Sequence, residues 1–157
     1  MRKYLLYISL FALVISACDL KEDYEVEKSK VVEAAGQWYV NYSTDGYESG
    51  YVLLNTYNTS ADDGKAFWIT DDGAWWDYKV KCPINADALT FSGADLSNTA
   101  YDIKIQVVNG KVIPKGGKST TGVVTDSIYF ELEFEDDPGT IYKAAGHRRT
   151  GFLEDEH

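Results

Sequence analysis

Cysteine and histidine are scarce in this chain, and each shortage closes off a class of protein. Two cysteines, Cys18 and Cys82, cannot supply a disulfide framework, so the fold must rest on its hydrophobic core. Two histidines, His147 and His157, offer no zinc spacing beside so few thiols. There is no Gly-x-Ser-x-Gly elbow, and a triad of Ser127, His147 and an aspartate has no motif behind it. Asp62-Asp63-Gly64 and Asp71-Asp72-Gly73 lack the alternating acids of a calcium loop and read as turns. Gly117-Lys118-Ser119 imitates the end of a phosphate loop, but Val112 stands where its first glycine must be. Basic residues are also few, 15 against 25 acidic ones, which argues against a nucleic-acid partner and against lying flat on anionic lipid. Long apolar runs are missing except one, Tyr4 to Ile15, which is short of the roughly 20 residues a spanning helix needs. Nothing in the motifs asks for a cofactor or a metal.

That one run is informative. Arg2 and Lys3 precede it and Ile15-Ser16-Ala17-Cys18 ends it, an order that resembles the bacterial lipoprotein processing box. The resemblance implies a signal peptide over 1–17, cleavage before Cys18, acylation of its thiol, and an outer-membrane lipoprotein of a Gram-negative bacterium. Each buried CH₂ contributes about 0.8 kcal/mol, so more than one acyl chain holds the protein stably. Loss of Arg2 and Lys3 leaves 13 basic against 25 acidic residues, a net charge of −12. Residues 18–33 are then an acylated cysteine and a charged tether, and 34–157 the folded domain. Lys21-Glu22-Asp23 resembles the acidic surface-export tag of Bacteroidota lipoproteins; a generic charged linker accounts for it equally well.

From Gly36 onward the pattern alternates with period two, between strong turn signals. Asp45-Gly46, Asp72-Gly73, Asn109-Gly110 and Pro138-Gly139 separate strands over Gly36–Tyr42, Tyr51–Tyr57, Ala66–Asp71, Ala74–Cys82, Leu89–Phe91, Tyr101–Val108, Val123–Glu135 and Thr140–His147. Val31 to Ala35 reads as a short helix entering the domain. No linker, repeat or second domain interrupts the chain. The expectation is all-β: roughly eight antiparallel strands in an up-and-down barrel, the size that closes around one small ligand. An open two-sheet sandwich is the alternative.

Alternation also assigns faces. Ile128, Phe130, Leu132 and Phe134 share one side of their strand, opposite Glu131, Glu133 and Glu135. Tyr101, Ile103, Ile105 and Val107 form a second apolar set, and Trp38, Val40 and Tyr42 a third. Cys82 falls in an apolar strand and reads as a small buried hydrophobe. A two-residue turn at Asp72-Gly73 pairs Thr70 with Trp75 and Phe67 with Tyr78. It turns Phe67, Ile69, Trp76 and Tyr78 inward, and leaves Trp68 and Trp75 together outside, either covered by the tether or the C-terminal tail or serving as a platform for a glycan or a protein partner.

Three groups of residues carry a resemblance to a known family. They are Gly36-Gln37-Trp38, Trp75-Trp76-Asp77-Tyr78, and Gly139 to Lys143 followed by Gly146 to Phe152. Together they resemble the Bacteroidota lipoproteins grouped as "lipid-binding putative hydrolases", whose fold is lipocalin-like. In calycin barrels a late arginine packs across the first-strand tryptophan, which implies that Gly36, Trp38 and Arg148 close one end. Parity along the last strand selects Arg148 over Arg149. The family supplies no catalytic residue to carry over. It implies a small apolar or amphipathic ligand, with Tyr42, Phe67, Trp76, Tyr78, Tyr101, Phe130 and Tyr142 as the interior aromatics that would bind it. The rival readings are a surface lipoprotein that captures glycans or proteins, and a hydrolase.

Overall fold

The computed structural model describes residues 27–157. The expected signal peptide, Cys18 and the Lys21-Glu22-Asp23 triplet lie outside them. Eight antiparallel strands follow one another round a closed barrel: β1 (Gly36–Thr44), β2 (Tyr47–Asn58), β3 (Ala66–Thr70), β4 (Lys79–Asn85), β5 (Thr90–Ser97), β6 (Lys104–Lys118), β7 (Val124–Phe134) and β8 (Asp137–Arg148). The circle closes where β8 returns to β1, with Trp38 opposite Arg148 and Tyr42 opposite Ala144. This is the up-and-down barrel expected from the period-two pattern, and closure gives every strand a neighbour on each side.

The alternation works as read. Ile128, Phe130, Leu132 and Phe134 of β7 are buried, while Glu131 and Glu133 between them are partly exposed. Trp38, Val40 and Tyr42 of β1 and Ile105 and Val107 of β6 join the same core. Burying side chains of this size is worth about 1.5–3 kcal/mol each, which is how a barrel with one free thiol, Cys82, holds together.

Several local expectations are corrected. Asn109-Gly110 does not end a strand. It is a bulge inside the long β6, whose register against β7 shifts between Val108 and Lys111. Asn109 takes a left-handed φ of 56°, and Gly110 passes so close to Phe91 that a Cβ would strike its ring and its carbonyl oxygen. Pro138-Gly139 lies within β8, and the β7–β8 turn is at Glu135-Asp136. The short helix expected at Val31–Ala35 is a single turn, held by bonds such as Ala34 N–H to Val31 O at 2.9 Å. That turn also moves the start of the fold into the supposed tether. Ser29 Oγ donates to Asp62 at 2.6 Å, and Val31 and Ala34 are buried.

The largest correction concerns the Asp72-Gly73 hairpin. β3 pairs with β4 through Phe67–Cys82 and Thr70–Lys79, not Phe67–Tyr78 and Thr70–Trp75. Residues 71–78 are therefore an eight-residue loop rather than a continuation of two strands. The β2–β3 ladder stops at Asn55–Thr70, and beyond it the loop meets β2 through Trp75 and Tyr47.

Candidate functional site

The two ends of the barrel are built differently. At the closed end the Arg148 guanidinium carbon lies 4.3 Å from the centre of the Trp38 ring. Its nitrogens donate to Asp126 Oδ2 (3.0 Å), Ala35 O (2.5 Å) and Glu33 O (2.6 Å). The Trp38 indole N–H donates to Thr56 Oγ1 at 2.8 Å, and the Thr56 hydroxyl donates in turn to Ala34 O at 2.7 Å. Gly36 is needed because a Cβ there would run into the guanidinium. Cation, ring and backbone carbonyls are joined, so this end is a plug.

The opposite end is capped by the 71–78 loop, which hangs from one carboxylate. Asp71 is buried. It accepts N–H bonds from Gly73 (3.1 Å), Trp75 (3.0 Å), Trp76 (2.8 Å) and, more weakly, Tyr78 (3.5 Å). Burial raises its pKa above the ordinary aspartate value, and those backbone donors oppose the rise. Asn55 ties the loop to β2 through Asp72 at 2.8 Å.

Held this way, the loop lays both tryptophans over the mouth. Trp75 stacks on Tyr42 (ring centres 3.9 Å apart, 13° between planes), and Trp76 stacks on Phe134 (4.6 Å, 14°). Tyr142 meets the edges of both indoles at 5.0 and 5.6 Å. Each indole N–H is engaged outside the stack, Trp75 with Tyr47 Oη (2.9 Å) and Trp76 with Tyr101 Oη (2.7 Å). The rim is acidic. Tyr101 donates to Asp136 (3.0 Å) and Tyr142 to Asp137 (2.7 Å). Burial and then Asp137 push the Tyr142 hydroxyl up to about 12.

Below the tryptophans, Tyr42 and Tyr78 share a hydrogen bond of 2.7 Å and are fully buried. Burial raises both hydroxyls well above their usual value, so each stays protonated at neutral pH. Deeper still lie Phe67, Phe91 and Phe130, with ring centres 5.0 and 5.8 Å apart in succession. The barrel is thus graded, from an all-carbon floor through a hydroxyl pair to a tryptophan cap with an acidic lip.

Of the seven aromatics expected inside, Tyr42, Phe67, Tyr78 and Phe130 are buried in the interior, and Trp76 and Tyr142 stand at the mouth. Tyr101 is not interior. It sits in the loop before β6 and buttresses Trp76 from outside. The outward Trp68–Trp75 platform does not exist, because the β3–β4 register is displaced. Trp75 faces the mouth, while Trp68 remains on the wall with Lys79 Nζ 5.4 Å from its ring centre. Sequence reasoning missed Asp71, Tyr47 and Phe134 as site residues. Only the Asp71-Asp72-Gly73 turn signal pointed there, and it gave no hint that one carboxylate would gather so many amides. Ser127 and His147 are cross-strand partners on the outer wall, with no hydrogen bond between them, and His147 Nε2 has no partner.

A closed eight-stranded up-and-down barrel, plugged at one end and capped with aromatics at the other, belongs to the architectural class whose interior is either filled by side chains or holds one small ligand. Within that class the chain belongs to the family described as "lipid-binding putative hydrolase", whose model matches residues 23–153. No curated protein matches it.

Proposed function

We propose that this protein is a lipid-anchored outer-membrane lipoprotein that binds a small amphipathic molecule in the barrel, beneath the Trp75–Trp76 cap. The observation that carries the reading is the cap itself. It is a segment outside the sheet that hangs from Asp71 and rests on its neighbours through ring contacts at its tip. Lifting it exposes the Tyr42, Phe134 and Tyr142 faces to the ligand, and the hydroxyls and carboxylates of the rim meet its polar head. The family's lipid-binding description supports the same reading. Acylation at Cys18 would keep the barrel beside the membrane that supplies or receives such a molecule.

Native mass spectrometry of the purified protein tests the proposal. A bound amphiphile, identified after extraction and lost in the Trp75→Ala, Trp76→Ala double variant, is the expected result. A protein that carries no adduct and takes up no added long-chain alcohol or monoacylglycerol would refute it. Anchoring is checked separately, since Cys18→Ala should leave the membrane fraction.

A further inference from the structure

The barrel wall is incomplete in a second place. The β4–β5 ladder consists of Ile84–Phe91 and Asn85–Thr90, beside the connecting turn, and resumes only as an isolated bridge between Val80 and Asn98. Between these points β4 has three residues, Lys81, Cys82 and Pro83, and β5 has six, Ser92 to Ser97. The mismatch keeps the strands from zipping. β5 absorbs its surplus in two register shifts against β6, around Gly93 and before Leu96, with Asp95 in a left-handed conformation at φ 54°. Pro83 has no N–H to offer β5. Four residue steps along β4, from Val80 to Ile84, make the unpaired stretch about 13 Å long.

Side chains meet in this seam. Leu96 folds back over Gly93. A Cβ on Gly93 would meet the Leu96 methyl carbons at 2.7 and 3.2 Å and the Pro83 ring at 3.0 Å. Gly93 therefore leaves room for Leu96, and Leu96 packs on the core without being fully buried. Behind the wall lie Cys82, Phe67 and Phe91, all buried apolar groups. Where neighbouring strands are normally joined by hydrogen bonds at a spacing of about 4.8 Å, here the contact beside Gly93 is made by side chains, Leu96 and the Pro83 ring. No ladder bond must break for Leu96 to move.

We propose that the β4–β5 seam is the subsite for the ligand's apolar tail, entered when Leu96 swings out, and that it selects an amphiphile with one unbranched chain over a two-chain lipid. The inference rests on the reading above, that the barrel takes an amphipathic molecule. It adds where the tail goes and how many tails there are. The tail displaces Leu96 and runs past Pro83 and Gly93 onto Cys82 and Phe91. The polar head stays at the upper end of the seam, where β4 meets the tryptophan loop. Displacing one leucine makes room for one chain, not two.

Cys82 is the reporter, because its thiol lies just inside the seam. The rate of alkylation by N-ethylmaleimide is followed at Cys82 by peptide mass spectrometry, so that Cys18 does not interfere. It is measured in the full chain and in Leu96→Ala, Leu96→Phe and Trp75→Ala with Trp76→Ala. Affinities for 1-decanol, monodecanoylglycerol and didecanoylglycerol are measured alongside. Leu96→Ala should raise Cys82 labelling at least tenfold, and saturating monodecanoylglycerol should reverse that rise. Leu96→Phe should weaken decanol and monodecanoylglycerol at least tenfold while the thermal midpoint holds, and didecanoylglycerol should bind at least tenfold less tightly than the one-chain compound. Bound monodecanoylglycerol that leaves Cys82 labelling of Leu96→Ala unchanged, unaltered affinity in Leu96→Phe, or equal affinity for one and two chains would overturn the seam and leave the capped mouth standing. Failure of every probe to bind would remove both readings.

Discussion

Tyr42 and Trp75 lie face to face, 3.9 Å between ring centres, although one belongs to the first strand and the other to a loop that the sequence pattern reads as strand. That contact makes Tyr42 the floor of the cap and Trp75 its first layer. The stack joins the tip of the loop to the buried Tyr42–Tyr78 pair, so a change in the cap is felt inside the barrel.

The cap should depend on Asp71 more than on either tryptophan. Asp71→Ala removes the acceptor for the backbone N–H groups of Gly73, Trp75 and Trp76. Each buried donor left without a partner costs about 1–3 kcal/mol, although water that enters the loosened loop recovers part of this. The expected outcome is a red-shifted tryptophan emission and fast amide exchange over 72–77, with the rest of the barrel still protected. Unchanged exchange there would show that the ring stacking alone holds the loop.

The closed end should behave in the opposite way, as a part of global stability. Trp38→Ala opens a cavity at a fully buried site and should cost about 3–5 kcal/mol by urea unfolding. Arg148→Lys keeps the charge but loses the planar fork that serves Asp126, Ala35 and Glu33 together. It should cost about 1–2 kcal/mol and leave ligand binding at the mouth unaffected.

The barrel was legible because its signals are local. Period two in β7 and β8 gives the interior faces directly, and parity along β8 is enough to set Arg148, not Arg149, against Trp38. The mouth was not legible, because it turns on register. Asp72-Gly73 is a strong two-residue turn signal, yet the chain does not use it as one. A single carboxylate immediately upstream binds the amides of a wider loop, and tertiary stacking on Tyr42 and Phe134 rewards that geometry. Such a shift turns Trp75 from an outward residue into a lid, and no pattern within the strand records it. Asn109-Gly110 failed in a similar way, since a bulge and a turn draw on the same left-handed residue.

Cys82 should be nearly inert in the folded wild type. Burial pushes its thiol up to about 12, and the side chain is fully enclosed. Labelling near neutral pH should be slower than that of a free thiol by about two orders of magnitude or more and should become fast in urea, with a midpoint that matches the loss of structure. Fast labelling of the native protein would mean that the wall stands open without ligand.

His147 should make the protein less stable in mild acid. It is enclosed on the outer wall by Tyr39, Tyr51 and His157, with ring centres at 6.1, 5.4 and 5.4 Å, and its Nε2 has no hydrogen-bond partner. Burial lowers its pKa first, the neighbouring His157 lowers it further, and Asp155 opposes both. In the unfolded chain His147 takes up its proton near the ordinary value of 6.5, whereas the folded state resists it to lower pH. The unfolded state therefore binds more protons in that window, so stability present above pH 6.5 is lost as the pH falls below it. His147→Phe fills the same space between the tyrosines and cannot be protonated. The thermal midpoint of the variant should fall less than that of the wild type between pH 7.5 and 5.5, by about 2–4 °C. His157 sits in the same cluster, stacked on Tyr51 at 4.3 Å, so His157→Phe serves as the control. If it flattens the profile as fully as His147→Phe does, the acid sensitivity belongs to the docked C-terminal segment and not to the buried imidazole.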